Sequence, residues 1–199
     1  VGPLVNLWGF GPSQRPLEVP TAAAIAWARS EVGYGRLQVQ GGGLVKDAPL
    51  FVDLSAVAKG FAVDELAEAL EQAGVRSYLV EIGGELRAAG QNAGGRPWRV
   101  AVEAPKADVR EVYRVLDLRD VGLATSGDYR NYFEADGVRY SHMIDPRTGA
   151  PITHRLASVS VLHESAAAAD GWATALNVLG LERGMAIAER EGLRALFII

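Results

Sequence analysis

Two oxygen-bearing side chains, Asp170 and Thr174, stand four residues apart in a segment whose apolar spacing is helical. Residues at this spacing lie on one face of a helix, one turn apart. Asp170 and the adjacent Gly171 are poor helix formers, and such local departures often mark functional positions. A carboxylate and a hydroxyl placed this way can hold a hard cation such as Mg²⁺ and leave room for a phosphate. The same residues also fit a helix that begins later, with Asp170 as its N-cap.

A second candidate segment, residues 53–64, passes from an apolar stretch into a helical pattern through small residues. The start of a helix presents free N–H groups, and small residues there let a phosphate approach the backbone. Lys59 adds a positive charge nearby. The segment therefore predicts an anion-binding turn between a strand and a helix. An ordinary connection capped by Asp53 or Ser55 would have the same composition.

Two further segments combine an apolar strand with small or polar residues. Gly83 and Gly84 follow the apolar run 78–82, and paired glycines allow positive φ and close backbone approach, although a tight turn alone needs them too. Polar side chains, including Thr125 and Ser126, are dense in the second segment, residues 124–133. Both segments are candidates for contact with a ligand.

His142 lies at the end of an apolar strand, directly before the turn sequence 145–149. The ordinary pKa of histidine, about 6.5, suits proton abstraction at neutral pH. His142 is therefore a candidate general base. A single histidine at such a position is also a common structural side chain.

The composition excludes several classes of protein. The 199 residues include 20 basic and 24 acidic ones, for a net charge of −4, which argues against nucleic-acid binding. No apolar run approaches the roughly 20 residues of a membrane span. The absence of cysteine excludes thiol catalysis and thiolate metal sites. Walker, dinucleotide-binding, His-Glu-x-x-His and Gly-x-Ser-x-Gly motifs are also missing.

The helices and strands that must position these residues are predicted from hydrophobic periodicity and from the residues that begin or end such elements. Helical spacing predicts helices over 56–73, 165–179 and 181–190, and an Ala-rich helix that Thr21 caps. Strand patterns cover 37–40, 51–54, 78–82, 85–89, 98–103, 112–118, 131–134, 138–143, 156–162 and 193–199. Strands in runs with helices grouped between them predict an α+β fold of mostly antiparallel sheets packed with helices.

No internal repeat and no long linker divides the chain, so a single domain over residues 1–199 is expected. Both ends of the sequence are apolar and fit secondary-structure elements. Because natural termini are usually polar and frayed, this pattern suggests a fragment truncated at both ends.

Six segments, taken in order, resemble the FAD:protein FMN transferases, the ApbE family of flavin transferases. They are residues 3–11, 53–64, 78–86, 125–133, 141–151 and 170–180. The resemblance implies an ApbE-like α+β fold in which the N-terminal part of the family domain is missing from this sequence.

The resemblance also implies an activity. It is the Mg²⁺-dependent transfer of the FMN moiety of FAD, the substrate, to a Ser or Thr hydroxyl of an acceptor protein, with release of AMP. The implied acceptors are flavin-carrying subunits of respiratory redox pumps, on the periplasmic side of the bacterial inner membrane. A lipid anchor outside this sequence would attach the full-length protein, and the fragment itself would be soluble. Mg²⁺-dependent hydrolysis of FAD to FMN and AMP, or non-catalytic FAD binding, remain alternatives.

The resemblance assigns roles to residues that match the family's segments. Asp170 and Thr174 would bind the metal together with the carbonyl of Ala56, and His142 would be the base that activates the acceptor hydroxyl. The residues that would contact FAD are Ser55, Lys59, Asp64, Gly83, Gly84, Thr125 and Ser126, the last two beside the flavin.

Overall fold

The computed structural model describes residues 1–13, 15–48, 50–106 and 111–199. These residues fall into two units: Val1–Asp53 with Asn131–Thr153, and Leu54–Arg130 with His154–Ile199. They are called here the first and the second unit. The expectation of a single domain over residues 1–199 stays a prediction.

Five α-helices, one 3₁₀ helix (Tyr34–Arg36) and thirteen strands are found in the described residues. The α-helices are α1 (Gly2–Leu7), α2 (Ala22–Ser30), α3 (Ala58–Gln72), α4 (Ala166–Leu179) and α5 (Leu181–Arg190). The strands are β1 (Leu37–Gln40), β2 (Gly43–Lys46), β3 (Tyr78–Ile82), β4 (Glu85–Ala89), β5 (Trp98–Glu103), β6 (Val112–Leu118), β7 (Val121–Gly127), β8 (Tyr132–Ala135), β9 (Val138–Ser141), β10 (Ile144–Asp145), β11 (Ala150–Pro151), β12 (Ser158–His163) and β13 (Arg194–Ile198). This arrangement confirms the predicted α+β class.

The second unit is built on a five-stranded antiparallel sheet in the order β13-β12-β7-β4-β3. Side chains alternate between its two faces, as in any strand. One face buries Ala124 of β7 and Val159 of β12 against Ala169 and Ala173 of α4. On the other face, β4 and β7 pack against the β5–β6 hairpin. Small residues on α4 and β7 let this helix lie directly on the sheet.

The first unit contains α1, α2 and three two-stranded ladders, β1–β2, β8–β9 and β10–β11. Its core is aromatic. Trp8 stacks on Tyr140 with ring centroids 5.5 Å apart, and its indole Nε1 donates to the carbonyl of Gly149 at 2.8 Å. The β8–β9 hairpin turns at Asp136 and Gly137, which both have positive φ, as the sequence of this turn predicts.

The structure corrects two predicted boundaries that concern the candidate site. Residues 51–54 form no strand, and a turn at 55–57 leads into α3, which begins at Ala58 instead of residue 56. Val57 has φ −143°, outside the helical range, which delays the start of the helix. The other correction concerns α4, which begins at Ala166 with Ser165 as its N-cap. Asp170 therefore lies inside α4, and the alternative in which Asp170 caps this helix is wrong.

Among the described residues, none of the helices combines the length and the apolar character that crossing a bilayer requires.

Candidate functional site

Asp170 is a buried carboxylate, 5% exposed, on α4 in the second unit. Its Oδ2 accepts a hydrogen bond from the backbone N–H of Gly60 at 3.1 Å. This N–H belongs to the first turn of α3, where backbone donors have no partner within the helix. Burial raises the pKa of Asp170, although the Gly60 N–H and the charge of Lys59 oppose that shift. A buried carboxylate of this kind is stabilised in its charged form by a cation.

Gly60 is required by the contact between α3 and α4. A Cβ at this position would lie 2.3 Å from the carbonyl oxygen of Ala166. Real Cβ atoms do not approach backbone so closely, so only glycine fits without a shift of one helix. The close approach is also what brings the Gly60 N–H within reach of Asp170.

Thr174 lies one turn beyond Asp170 on α4 and is half-buried. Within the described residues its hydroxyl has no hydrogen-bond partner. Ala56 belongs to the turn at 55–57 that precedes α3. This turn runs beside α4, because a Cβ on Gly171 would lie 3.2 Å from Cγ1 of Val57. The three predicted metal-binding groups thus come from two adjoining segments of one unit.

The chemistry of these groups fits a hard divalent cation. Carboxylate, hydroxyl and carbonyl oxygens are the ligands that Mg²⁺ accepts, and Mg²⁺ usually completes its shell with water and substrate phosphates. The described residues contain no group of three His, Cys, Asp or Glu side chains able to hold a metal. A metal at Asp170 would therefore depend on oxygens of Thr174, the backbone and the substrate.

Asp64, predicted to contact the nucleotide, has both carboxylate oxygens engaged within the second unit. Oδ1 accepts from the N–H of Ala166 at 2.9 Å and from Arg87 at 3.0 Å. Oδ2 accepts from the N–H of Ala167 at 3.0 Å and from Ser165 Oγ at 2.7 Å. Burial raises the pKa of Asp64, but these hydrogen bonds outweigh it and hold the pKa below its ordinary value. Asp64 thus anchors the start of α4, and its contact with a nucleotide stays a prediction.

Lys59 and the Gly83–Gly84 turn, predicted separately, lie together. A Cβ on Gly83 would be 3.2 Å from Cδ of Lys59, and the Lys59 Nζ is 3.5 Å from the Gly83 carbonyl oxygen. Gly83 and Gly84 have φ of 59° and 100°, so both need the backbone freedom of glycine. The backbone of this turn therefore packs against the aliphatic part of the Lys59 side chain.

Glu85 is a buried charge that the sequence analysis missed. It is 1% exposed, and its Oε2 lies 2.5 Å from Nζ of Lys59. Burial raises the pKa of Glu85, while the adjacent Lys59 ammonium opposes the shift. The signal available in the sequence was a charged residue at the start of a strand, directly after two glycines.

Thr125 and Ser126 are consecutive residues of β7, so their side chains point to opposite faces of the sheet. Thr125 Oγ1 is hydrogen-bonded to Ser160 Oγ at 2.7 Å, on the face away from α4. Ser126 accepts a hydrogen bond at its backbone oxygen from Asn177 of α4 at 3.0 Å. Ser55 is exposed in the turn before α3. The flavin contact predicted for Thr125 and Ser126, and the FAD contact predicted for Ser55, stay predictions.

His142 belongs to the first unit and follows β9. Its Nδ1 lies 3.0 Å from the carbonyl oxygen of Asn131, and its ring meets that of Phe10 edge-on at 6.2 Å. Because a carbonyl can only accept, Nδ1 carries the proton in this contact and the neutral ring has its lone pair on Nε2. This tautomer is the one that a general base with an accessible Nε2 requires.

Comparison with known proteins gives consistent matches. Residues 1–197 match the sequence model of the ApbE family. A protein of Vibrio cholerae named FAD:protein FMN transferase is 54% identical over the whole chain, which covers 60% of that protein. One of the same name from Klebsiella pneumoniae is 50% identical and 58% covered.

A solved structure described as the flavin transferase ApbE from Vibrio cholerae superposes with a TM-score of 0.90 at 51% identity. The alignment spans all of this chain and 63% of that one, and it confirms the expected fold. The chain thus spans about three fifths of the length of the curated relatives it matches.

Proposed function

Because this chain belongs to the ApbE family, we propose that it transfers the FMN moiety of FAD to a Ser or Thr hydroxyl of an acceptor protein, in a Mg²⁺-dependent reaction that releases AMP. The observation that carries the proposal is the buried Asp170 carboxylate, which the start of α3 holds by the Gly60 N–H. The names of the matched relatives support the same activity.

The reaction exchanges the phosphoanhydride bond between the two halves of FAD for a phosphoester bond to the acceptor. The acceptor oxygen attacks the phosphorus of the FMN half, the bond to the bridging oxygen breaks, and AMP leaves with that oxygen. Mg²⁺, held by Asp170, Thr174 and the Ala56 carbonyl, would supply charge neutralisation at the diphosphate. The backbone dipoles at the start of α3 favour a phosphate at the same place, although the N–H groups of Ala58 and Gly60 already donate to Leu54 and Asp170. Lys59, beside them, adds a positive charge.

His142 is proposed to accept the proton of the acceptor hydroxyl at Nε2. The contact of its Nδ1 with Asn131 supports this role because it leaves Nε2 unprotonated in the neutral ring. A positioned base contributes typically about 10²–10⁴-fold to such a rate. Charge neutralisation and in-line positioning would supply the remainder.

FAD contacts are proposed for the residues that the resemblance singles out. Gly83 and Gly84 would let a ligand approach the backbone of their turn, beside Lys59. Asp64 would act at the nucleotide while holding the first turn of α4, where Ala166 and Ala167 donate to it. The remaining proposed contacts are Ser55, Thr125 and Ser126.

The biological setting is proposed from the family resemblance alone. The acceptors would be flavin-carrying subunits of respiratory redox pumps, and the protein would act on the periplasmic side of the inner membrane. Attachment to the membrane would depend on an anchor outside this sequence. Residues 1–199 would act as one ApbE-type domain.

Intact-mass spectrometry tests the proposal. The chain is incubated with FAD, Mg²⁺ and an acceptor protein with one exposed Thr, and a matched acceptor carries Val at that position. The expected result is the addition of one FMN to the Thr acceptor only, with equimolar AMP, and no addition in the presence of a chelator. Release of free FMN without an acceptor would identify the chain as a FAD hydrolase, and unchanged FAD would contradict both activities.

A further inference from the structure

Glu85 is a charged side chain that the proposed reaction does not use. It opens β4 and is 1% exposed, with Lys59 Nζ 2.5 Å from its Oε2. Burying a carboxylate is costly, and the attraction of one partner often fails to offset that cost. Lys59 itself remains 46% exposed along its side chain. An ion pair of this kind is therefore a weak contributor to stability, and its position beside the site needs another explanation.

Three charges share this part of the second unit. Burial raises the pKa of Glu85 and of Asp170, and the Lys59 charge opposes the rise at both carboxyls, while Asp170 adds to it at Glu85. The chain connects them too, because Lys59 directly precedes Gly60, whose N–H binds Asp170. The ammonium group thus has two buried carboxylates within its electrostatic reach.

A lysine ammonium and a divalent cation compete for the same carboxylate. The side chain of Lys59 has four rotatable bonds, and its charge would be attracted to Asp170 wherever no other anion held it. A pair between Lys59 and Asp170 would neutralise the single carboxylate on which the proposed metal site depends. Something must therefore direct the ammonium elsewhere.

The turn between β3 and β4 favours the pairing with Glu85. Glycine at position 83 leaves room for the lysine stem, since a Cβ there would lie 3.2 Å from Cδ of Lys59. The Gly83 carbonyl oxygen is 3.5 Å from the ammonium. The same turn brings Glu85, two residues later, to the ammonium.

We propose that Glu85 is a positioning residue that holds the Lys59 ammonium away from Asp170 and so keeps the Asp170 carboxylate open to a divalent cation. The inference rests on the proposed function, because it requires a cation at Asp170. It assigns to Glu85 no contact with FAD or with the acceptor. Its effect is on the affinity for the metal.

The test measures Mn²⁺ binding by isothermal titration calorimetry in the absence of FAD. The Glu85→Gln variant keeps the volume of the side chain but releases Lys59, and about tenfold weaker binding is expected. The double variant Glu85→Gln/Lys59→Met removes the competing charge, and its affinity should return to within about twofold of the parent chain. Glu68→Gln, an exposed position on α3, is the matched control and should bind normally.

The outcomes separate this inference from the proposed function. Unchanged affinity in Glu85→Gln, or a double variant that stays weak, overturns the inference while the metal site stands. Equal binding by the parent chain and Asp170→Asn, or no binding by the parent, overturns the metal site and the inference together. Circular dichroism checks that each variant folds. If Glu85→Gln does not fold, the double variant is the test, and weaker Mn²⁺ binding by the double variant than by the parent chain contradicts the inference.

Discussion

Asp64 and Asp170 each bind the backbone at the start of the other's helix. Asp64 on α3 accepts the N–H groups of Ala166 and Ala167, which open α4. Asp170 on α4 accepts the N–H of Gly60, in the first turn of α3. The two helix starts are therefore tied together by one carboxylate each. The exchange fixes the orientation of the Asp170 carboxylate, the group proposed to bind a cation.

The contact at Gly60 predicts a large effect of a single methyl group. Gly60→Ala should destabilise the chain by about 2 kcal/mol or more, because the added Cβ would meet the carbonyl oxygen of Ala166 at 2.3 Å. Urea unfolding followed by circular dichroism measures the change. Gly35→Ala, where a Cβ meets nothing within 4 Å, is the control and should be nearly neutral. Equal stability of the two variants would contradict the close contact.

The capping role of Asp64 predicts a dependence of stability on pH. Its folded pKa lies below the ordinary 3.8, because hydrogen bonds outweigh the opposing effect of burial. The stability that Asp64 contributes is therefore present above its unfolded pKa and is lost as the pH falls through the lower folded pKa. Asp64→Asn should lower the free energy of unfolding by about 1–2 kcal/mol at neutral pH. The amide has one oxygen that accepts hydrogen bonds, whereas both carboxylate oxygens of Asp64 accept them.

Urea unfolding of Asp64→Asn and of the parent chain, measured from pH 6 down to acid, checks this. The difference in unfolding free energy between the parent chain and Asp64→Asn should be independent of pH near pH 6. It should shrink below pH 3.8. A difference that grows on acidification has the wrong sign for a lowered pKa and would refute the role.

His142 predicts a defect in chemistry without a defect in FAD binding. His142→Gln should slow FMN transfer by about 10²–10⁴-fold, the contribution of a positioned base. The affinity for FAD, measured by the change in flavin fluorescence, should stay within about twofold. A variant that transfers FMN at the parent rate would exclude His142 as the base, and a loss of FAD affinity alone would make it a binding residue.

Local sequence signals predicted the helices around the site because their periodicity and caps agree. The apolar spacing of α4 is bounded by Ser165, whose side chain accepts the Ala168 N–H, and by Gly180 with positive φ. The spacing also places Asp170 and Thr174 on the same face. These features lie within a few residues of one another, so they are visible in one sequence.

The sequence did not predict strand β7, because several of its residues are small. Small residues let α4 pack closely on the strand, but their propensity for strands is low. Gly122 is needed where the strand meets the helix, since a Cβ there would lie 2.9 Å from Cα of Ala166. The rest of the strand is rich in small and polar residues, which also occur in loops. Tertiary contact therefore decides the structure here.

The reciprocal contacts of Asp64 and Asp170 had no local signal. Asp64 and Ala166 are 102 positions apart, and Asp170 and Gly60 are 110 apart. The pairing of Lys59 with Glu85 likewise depends on the approach of α3 to β4 in the folded chain. Sequence reasoning identified charged residues in suitable segments, but their partners follow from the tertiary fold.

Asp170 is proposed to bind the cation on which FMN transfer depends. The most direct measurement is the rate of FMN transfer to a Thr acceptor as a function of Mg²⁺ concentration, compared between the parent chain and Asp170→Asn. Asparagine can still accept the Gly60 N–H, so the variant should fold, and Asp136→Asn on an exposed turn is the control. Mg²⁺-dependent transfer is expected in the parent chain and the control, with a loss of at least about 100-fold in Asp170→Asn. Transfer by Asp170→Asn at the parent rate, with the same dependence on Mg²⁺, would rule out Asp170 as a metal ligand.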